Sequence, residues 1–462
     1  MGPTDSMTQT EKTRRDREQL QAAVGAAVSA YTDRNPRSRE MFARAQQSLP
    51  GGNTRTGTHM DPFPFYADRG EGVLLFDLDG HPLLDFVNNN TALILGHAHP
   101  AVVQALQQQL PKGTGFPRPQ VLEVEMAELL RERIPSLELL RFCSSGTEAV
   151  LNALRTARAF TGRHKTAKFE GAYHGIDEHA MVSFLPPLGP ELGPDDRPRS
   201  VPSTAGLTAA VTEDVLVLPF NDLAACESII GDNAGDLAAV IVDPVSTGAG
   251  LALPEGDFLK GLLEIAHRAG ALVIFDEIVS FRASAGGAQA VFDVVPDLTC
   301  LGKVVAGGTP GGVFGGRADL MALYDPASGP PAIPQSGTFN ANPFALNAGL
   351  ATLRAMTTQA YEKLDSLTAV VVGDLQTAFD AAGVPASVIA VGSIFRVYFL
   401  PEAPRNYRQA AADDSLLQRW LHFSLLNRDI YWRDGGNLSL PMEREHVDHL
   451  TSAVRDCLRE LQ

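Results

Sequence analysis

From about Leu139 the chain alternates short apolar runs with longer mixed stretches. The apolar runs Leu140–Cys143, Thr166–Phe169, Val215–Leu218, Ala238–Val242, Ala271–Phe275, Leu298–Leu301 and Gly312–Gly315 predict strands, and the stretches between them predict helices. Continuous rather than alternating hydrophobicity in such short runs marks strands covered on both faces, so the pattern predicts a largely parallel sheet between helical layers. In sheets of that kind ligands gather beyond the carboxyl ends of the strands.

Before that region the pattern differs. Residues 1–18 are polar and charged and are expected to be disordered. Helices are predicted over Glu18–Thr32 and Pro36–Gln47, the second with proline in its first turn, and Pro50-Gly51-Gly52 ends it. Strand-like Gly72–Asp77 and Pro82–Val87 are joined by the turn Leu78-Asp79-Gly80. The segment Leu185–Gly206 carries six prolines and reads as an irregular loop, either a lid or a plain surface insertion. After Phe344 helices dominate, interrupted by strand-like Ser393–Leu400. The expected organisation is a tail over 1–18, an N-terminal segment over 19–75 that joins a smaller domain, a large domain over 76–344, and a C-terminal α+β domain over 345–462.

A length of 462 residues with 44% hydrophobic and 20% charged residues is that of a globular chain with a large core. The net charge of -16 argues against nonspecific nucleic-acid binding. No apolar run approaches a membrane span. The four cysteines, Cys143, Cys226, Cys300 and Cys457, show no paired spacing, which suits a reduced, cytoplasmic protein.

The most informative residue is Lys303. It follows the run Leu298–Leu301 and is flanked by small and apolar groups, Gly302 on one side and Val304-Val305-Ala306-Gly307-Gly308 on the other. Upstream, Ala271–Phe275 runs into Asp276. A lysine after one buried strand and a carboxylate at the end of another suit a pyridoxal phosphate site: the amine forms a Schiff base with the aldehyde, and the carboxylate pairs with the pyridinium nitrogen. Burial and a cationic ring depress the lysine pKa, whereas the aspartate stays charged beside the ring. Ser144-Ser145-Gly146-Thr147-Glu148-Ala149 follows a strand and opens a helix. Its backbone N–H groups suit a phosphate, although taken alone a plain helix cap is the better explanation of such a run. Tyr173 and His174, in Phe169-Glu170-Gly171-Ala172-Tyr173-His174-Gly175, put an aromatic and an imidazole in a loop after another strand.

Taken with Asp276-Glu277-Ile278, Leu301-Gly302-Lys303 and Gly337-Thr338-Phe339-Asn340-Ala341-Asn342-Pro343, these motifs resemble class III aminotransferases. The branch they resemble most holds glutamate-1-semialdehyde aminomutase and the β-amino-acid and D-phenylglycine-type transaminases. The resemblance spans roughly residues 40–455. It implies an α/β fold of the fold-type I pyridoxal phosphate transferases, with a mostly parallel seven-stranded sheet in the large domain and a smaller α+β domain built from both termini. It implies that Lys303 holds the cofactor and shuttles the proton, that Asp276 keeps the ring nitrogen protonated, and that Ser145, Gly146 and Thr147 bind phosphate. It further implies that Tyr173 stacks on the ring with His174 nearby, and that Thr338 reaches the phosphate of a neighbouring subunit, hence a homodimer with shared active sites. Arg55 matches an arginine that grips the substrate carboxylate in this branch, a task that suits a guanidinium fork. Arg282 is a second candidate with a structural alternative.

The chain departs from the family pattern in three places. Asp243-Pro244-Val245 stands where Glu-Pro is usual, Asn88-Asn89-Asn90-Thr91 replaces a stretch that often carries an aromatic, and Tyr431–Asn437 does not align cleanly where some β-transaminases carry a second carboxylate-binding arginine. Asn90 is accordingly a substrate-pocket candidate, with a hydrogen-bonded loop as the alternative. The expected reaction is ping-pong amino transfer from an amino acid, β-amino acids among them, to a 2-oxo acid. The alternatives are an aminomutase that moves the amine within one molecule and, more remotely, a non-catalytic relative.

Overall fold

The computed structural model describes residues 9–327 and 329–461. Three sheets order the chain. The first is built from β1 (Ala67–Glu71), β2 (Leu74–Asp77) and β3 (Pro82–Asp85), antiparallel to one another. The second holds seven strands: β4 (Leu139–Cys143), β5 (Lys165–Phe169), β6 (Val215–Leu218), β7 (Leu237–Val242), β8 (Leu272–Asp276), β9 (Leu298–Leu301) and β10 (Gly312–Gly316). The third contains β11 (Ser387–Val391), β12 (Ile394–Tyr398) and β14 (Gly435–Asn437), while the two-residue β13 (Ile430–Tyr431) pairs in parallel with β3 and so ties the C-terminal region to the first sheet.

The seven strands run in the order β4-β10-β9-β8-β7-β5-β6. Every pairing is parallel except those of β10, which is antiparallel to both β4 and β9. Strand periodicity divides the core between the two faces. Val240, Val242, Val273 and Phe275 pack under the helices Leu223–Asp232 and Phe258–Arg268, whereas Ala239, Ile241, Leu272 and Ile274 face the helix Gly146–Thr161. The same alternation puts Asp276 on the Gly146–Thr161 face at the carboxyl end of β8, and turns Glu277 to the opposite side.

The first helix runs Gln9–Arg34. The tail expected over residues 1–18 is therefore helical from Gln9 onward, and its first eight residues lie outside those described. Glu, Lys, Arg and Gln are strong helix formers and continue the helix without an apolar face of their own, and the Arg17 guanidinium meets Asp414 at 3.3 Å. Further along this helix Tyr31 is buried against Phe63 and Phe423. The expected boundary between residues 75 and 76 falls inside β2. Leu185–Gly206 is irregular apart from a helical turn at Pro190–Leu192 and an isolated bridge from Pro202 to Val182. It is pinned by Arg408, which donates to Glu170 and to the carbonyls of Leu192 and Gly193, and it contributes nothing to the cavity described next.

Candidate active site

A cavity of about 450 Å³ opens at the carboxyl ends of β7, β8 and β9, the sheet edge that parallel topology reserves for ligands. Lys303 and Asp276 share its wall with Ser145, Gly146, Thr147, Tyr173 and Asp243. The residues that β9 delivers to the edge are Gly302 and Lys303, and the backbone turns there with Lys303 at φ 50, in the left-handed region. Such a conformation in a residue with a Cβ costs of order 1–2 kcal/mol and is held by its surroundings. Asn90 (φ 52), Thr91 (φ 75), Leu251 (φ 61) and Asp434 (φ 51) line the same cavity in the same strained region. Burial pushes the Lys303 amine below its ordinary pKa, and the neighbouring carboxylates of Asp276 and Asp243 oppose that shift. Among the described residues no hydrogen bond or ion pair ends on this amine.

Asp276 is 4% exposed. Its Oδ2 lies 2.8 Å from His174 Nδ1, and its Oδ1 accepts the Ile278 N–H at 3.1 Å. His174 is equally buried and its Nε2 has no partner. The imidazole stands beside the carboxylate rather than on the cavity wall, so the aspartate has one oxygen fixed by a ring and the cavity at its front. Asp243 is held by the backbone N–H of Thr247 at 2.8 Å and by the Thr247 hydroxyl; burial raises its pKa, and the Asp276 charge adds to the rise. Glu277, on the other face, accepts from Gln289 at its backbone N–H (3.1 Å) and its side-chain amide (2.8 Å). Burial pushes its pKa up to about 7, and its contacts make it a support for the helix Gly287–Phe292.

On the same cavity, the 16-residue helix Gly146–Thr161 presents its N-terminus. Ser145 caps it by accepting the Glu148 N–H at 3.2 Å. The cap explains the serine and leaves the first-turn N–H groups of Gly146 and Thr147 directed outward, where an anion is favoured. Gly146 packs closely on Ile278: a Cβ there would sit 2.6 Å from Ile278 Cδ1, so the isoleucine side chain would have to shift. A Cβ on Gly175 would meet Thr147 Oγ1 at 2.6 Å, so the Tyr173–Gly175 loop and the helix start are closely packed. Tyr173 is 42% exposed and leans on Phe184 at 5.0 Å between ring centroids.

The three asparagines have a backbone reason. Asn88 (φ 47), Asn89 (φ 49) and Asn90 (φ 52) with Thr91 (φ 75) make one left-handed turn, and asparagine tolerates that region better than any residue but glycine. Asn88 is buried and donates to the carbonyls of Asp85 and Asn437; Asn89 accepts from Arg55 Nη1 at 3.1 Å; Asn90 lines the cavity. Arg55 itself opens on a neighbouring cavity of about 540 Å³, which shares Val87, Asn90 and Arg433 with the first. Arg282 is wholly buried and donates to Ser393 Oγ, Asn437 Oδ1 and the carbonyls of Thr91 and Leu438, so it fastens the asparagine turn to the Arg433–Asn437 loop and cannot reach a substrate. Thr338 is exposed and lies off both cavities. Sequence reasoning missed Arg396, on β12, which also lines the lysine's cavity; the signal was a lone cation inside the apolar run Ile394–Tyr398.

The family model for class-III aminotransferases matches residues 56–426. A glutamate-1-semialdehyde 2,1-aminomutase of Sorangium cellulosum is 39% identical over 444 residues, covering 94% of this chain and 98% of that protein. Among solved structures, an omega-transaminase from Sphaerobacter thermophilus is 41% identical with a TM-score of 0.89, covering 92% of this chain and 97% of its own. A β-phenylalanine aminotransferase from Variovorax paradoxus is 36% identical with a TM-score of 0.86, covering 95% and 97%.

Proposed function

We propose, on the premise that this chain belongs to the class-III aminotransferases and is a fold-type I enzyme dependent on pyridoxal phosphate, that it moves an amino group from an amino acid to a 2-oxo acid by a ping-pong mechanism. β-Amino acids are included among the donors because the similar Variovorax paradoxus structure is a β-phenylalanine aminotransferase. The observation that carries the reading is one cavity with a partnerless, pKa-lowered lysine amine on its wall, a buried Asp276–His174 pair beside it, and a helix N-terminus on the same wall.

The residues present fit the cofactor. The N–H groups of Gly146 and Thr147 answer a phosphate, and the buried Asp276 offers a carboxylate to a ring nitrogen. When bound, pyridoxal phosphate supplies an aldehyde and an electron-withdrawing ring that accepts the electron pair left behind when a substrate carbon loses its proton. Lys303 Nζ would hold the cofactor through its aldehyde, and as a free amine it would take the proton from the substrate carbon. Its lowered pKa serves both tasks, since only the neutral amine acts as nucleophile or base. His174 fixes Asp276 from behind. Tyr173, on the cavity wall, would pack against the ring. Arg55 and Arg433, which among the described residues have no ion-pair partner, orient the substrate carboxylate where the two cavities meet. Thr338, exposed together with the 68% exposed Phe339, serves the phosphate of a second subunit, which makes the enzyme a homodimer with shared sites. No helix among the described residues is long and apolar enough to cross a membrane, and the four cysteines are free and buried, in keeping with a cytoplasmic setting.

The curated relatives named as aminomutases support a second reading, transfer within one molecule. Incubating the holoenzyme with α- and β-amino donors, with and without a 2-oxo acid, separates the two. Turnover that consumes one 2-oxo acid per amine moved supports transamination; multiple turnovers without any acceptor overturn it.

A further inference from the structure

Four residues in a row, Asn88 to Thr91, hold positive φ with no glycine among them, and each costs about 1–2 kcal/mol in that region. Single residues visit it routinely; a whole turn persists only where its surroundings over-determine it. Asp85, the last residue of β3, supplies the main clamp. Its Oδ1 accepts the N–H groups of Val87 at 2.7 Å and Asn88 at 2.9 Å, and its Oδ2 lies 2.7 Å from His97 Nε2. The His97 ring is seated on β1, where a Cβ on Gly70 would come within 2.3 Å of Nδ1. From the other side Arg282 Nη1 holds the Thr91 carbonyl at 2.8 Å. The turn is therefore fixed, and whatever it presents is presented in one place.

Two of the three asparagines use their amides inside the protein: Asn88 donates to the Asp85 and Asn437 carbonyls, and Asn89 accepts from Arg55. Asn90 differs. It is exposed and lines both the lysine's cavity and the neighbouring one, so it stands where they meet. Among the described residues no hydrogen bond ends on its side-chain amide. A backbone at φ 52 is met better by glycine, which has no Cβ penalty there, so the conformation alone does not account for an asparagine at this position. What the side chain adds is an NH2 donor and a carbonyl acceptor, side by side and without charge. Their complement is a neutral group that also donates and accepts, a hydroxyl or a carboxamide.

We propose that Asn90 is a specificity-determining residue whose amide reads a hydroxyl or carboxamide on the substrate's side chain, so that the preferred donors are amino acids carrying such a neutral hydrogen-bonding group. The inference rests on the reading that this cavity receives the amino donor. Water pairs with the exposed amide when the substrate does not, so the discrimination is that of one net hydrogen bond between neutral groups rather than that of a buried group left unpaired.

The test is calorimetric titration of the holoenzyme with two unreactive acids of equal chain length, 4-hydroxybutanoate and pentanoate. The hydroxy acid is expected to bind about fivefold more tightly, the scale of one such hydrogen bond. Asn90→Gly removes the amide and suits the left-handed backbone, so the fold and the pentanoate affinity should persist while the preference disappears. Asn90→Asp keeps an acceptor on the same frame; its charge should weaken both acids alike, and part of the preference should remain. Equal binding of the two acids to the wild type, an undiminished preference in Asn90→Gly, or an aspartate ratio no higher than the glycine ratio overturns the proposal. An equal loss of affinity for both acids in Asn90→Gly also overturns it, because the amide is then a carboxylate contact. The titration needs no turnover: if amino transfer to a 2-oxo acid fails while the preference holds, the reading of the reaction is wrong and the Asn90 subsite stands.

Discussion

Lys168 offers the sharpest structural prediction, because an ionisable side chain lies wholly inside the protein next to the Tyr173–His174 loop. It is 1% exposed on β5, and its ammonium donates to three carbonyls, those of Ala172 (2.8 Å), Ala180 (2.6 Å) and Val182 (2.8 Å). These carbonyls flank the segment carrying Tyr173 and His174. Lys168→Met keeps the apolar stem and removes the donor. Leaving three buried carbonyls without partners costs about 1–3 kcal/mol each, and relief of the buried charge returns part of that, so a net loss of ~2–4 kcal/mol is expected. Burial also lowers the Lys168 pKa to about 7 from its ordinary 10.5. The folded chain then releases this proton at a lower pH than the unfolded chain. Between about pH 7 and 10.5 the unfolded state binds more protons, and stability rises with pH by up to ~1.4 kcal/mol per unit from this group. Urea unfolding of wild type and Lys168→Met at pH 6, 7.5 and 9 checks both points. The variant should be less stable at pH 7.5, and the gap should widen toward pH 9. Equal stability, or parallel pH curves, would refute the cage as the anchor of the loop.

Asp276→Asn should lower kcat by about two to three orders of magnitude, the scale of losing one preorganised electrostatic partner, and should shift the pH dependence of the bound cofactor's absorbance; a spectrum and rate like the wild type's would remove Asp276 from the mechanism. Arg55→Ala should raise KM for carboxylate substrates by about 10- to 100-fold with kcat little changed, measured by steady-state kinetics. Gly250→Ala places a Cβ 2.1 Å from Tyr398 Oη at φ 110 and should cost ~2–4 kcal/mol of stability. Gly206→Ala, at φ 95 with open space around it, should cost only the backbone strain, about 1 kcal/mol, and thermal melts of the pair distinguish crowding from conformation.

Much of this was legible in the chain because strands buried on both faces write themselves as continuous apolar runs. All seven runs became strands of the large sheet within a residue or so of the expected ends, and Asp276 and Lys303 were placed by their position at those ends. What was hidden depends on tertiary neighbours. The asparagine triad read either as a polar pocket wall or as a hydrogen-bonded loop; Asn90 does line the cavity, Asn88 is a buried structural residue, and the common property, hidden in the sequence, is a left-handed backbone. His174 read as a cofactor contact, and the structure sets it behind Asp276 instead. Arg282, a second candidate with a structural alternative, takes the structural one, with four acceptors around its guanidinium. Strand β1, Ala67–Glu71, carries charges on an exposed edge and has no apolar signature, and the first helix extends through polar residues that composition alone assigns to a tail.

The central claim is that the Lys303 amine is the covalent anchor of the cofactor. Borohydride reduction of the holoenzyme, followed by proteolysis and peptide mass spectrometry, tests it most directly. The account predicts a pyridoxyl mass on the peptide containing Lys303 and its absence, with loss of the visible absorbance, in Lys303→Ala; a label on any other lysine, or none at all, would contradict it.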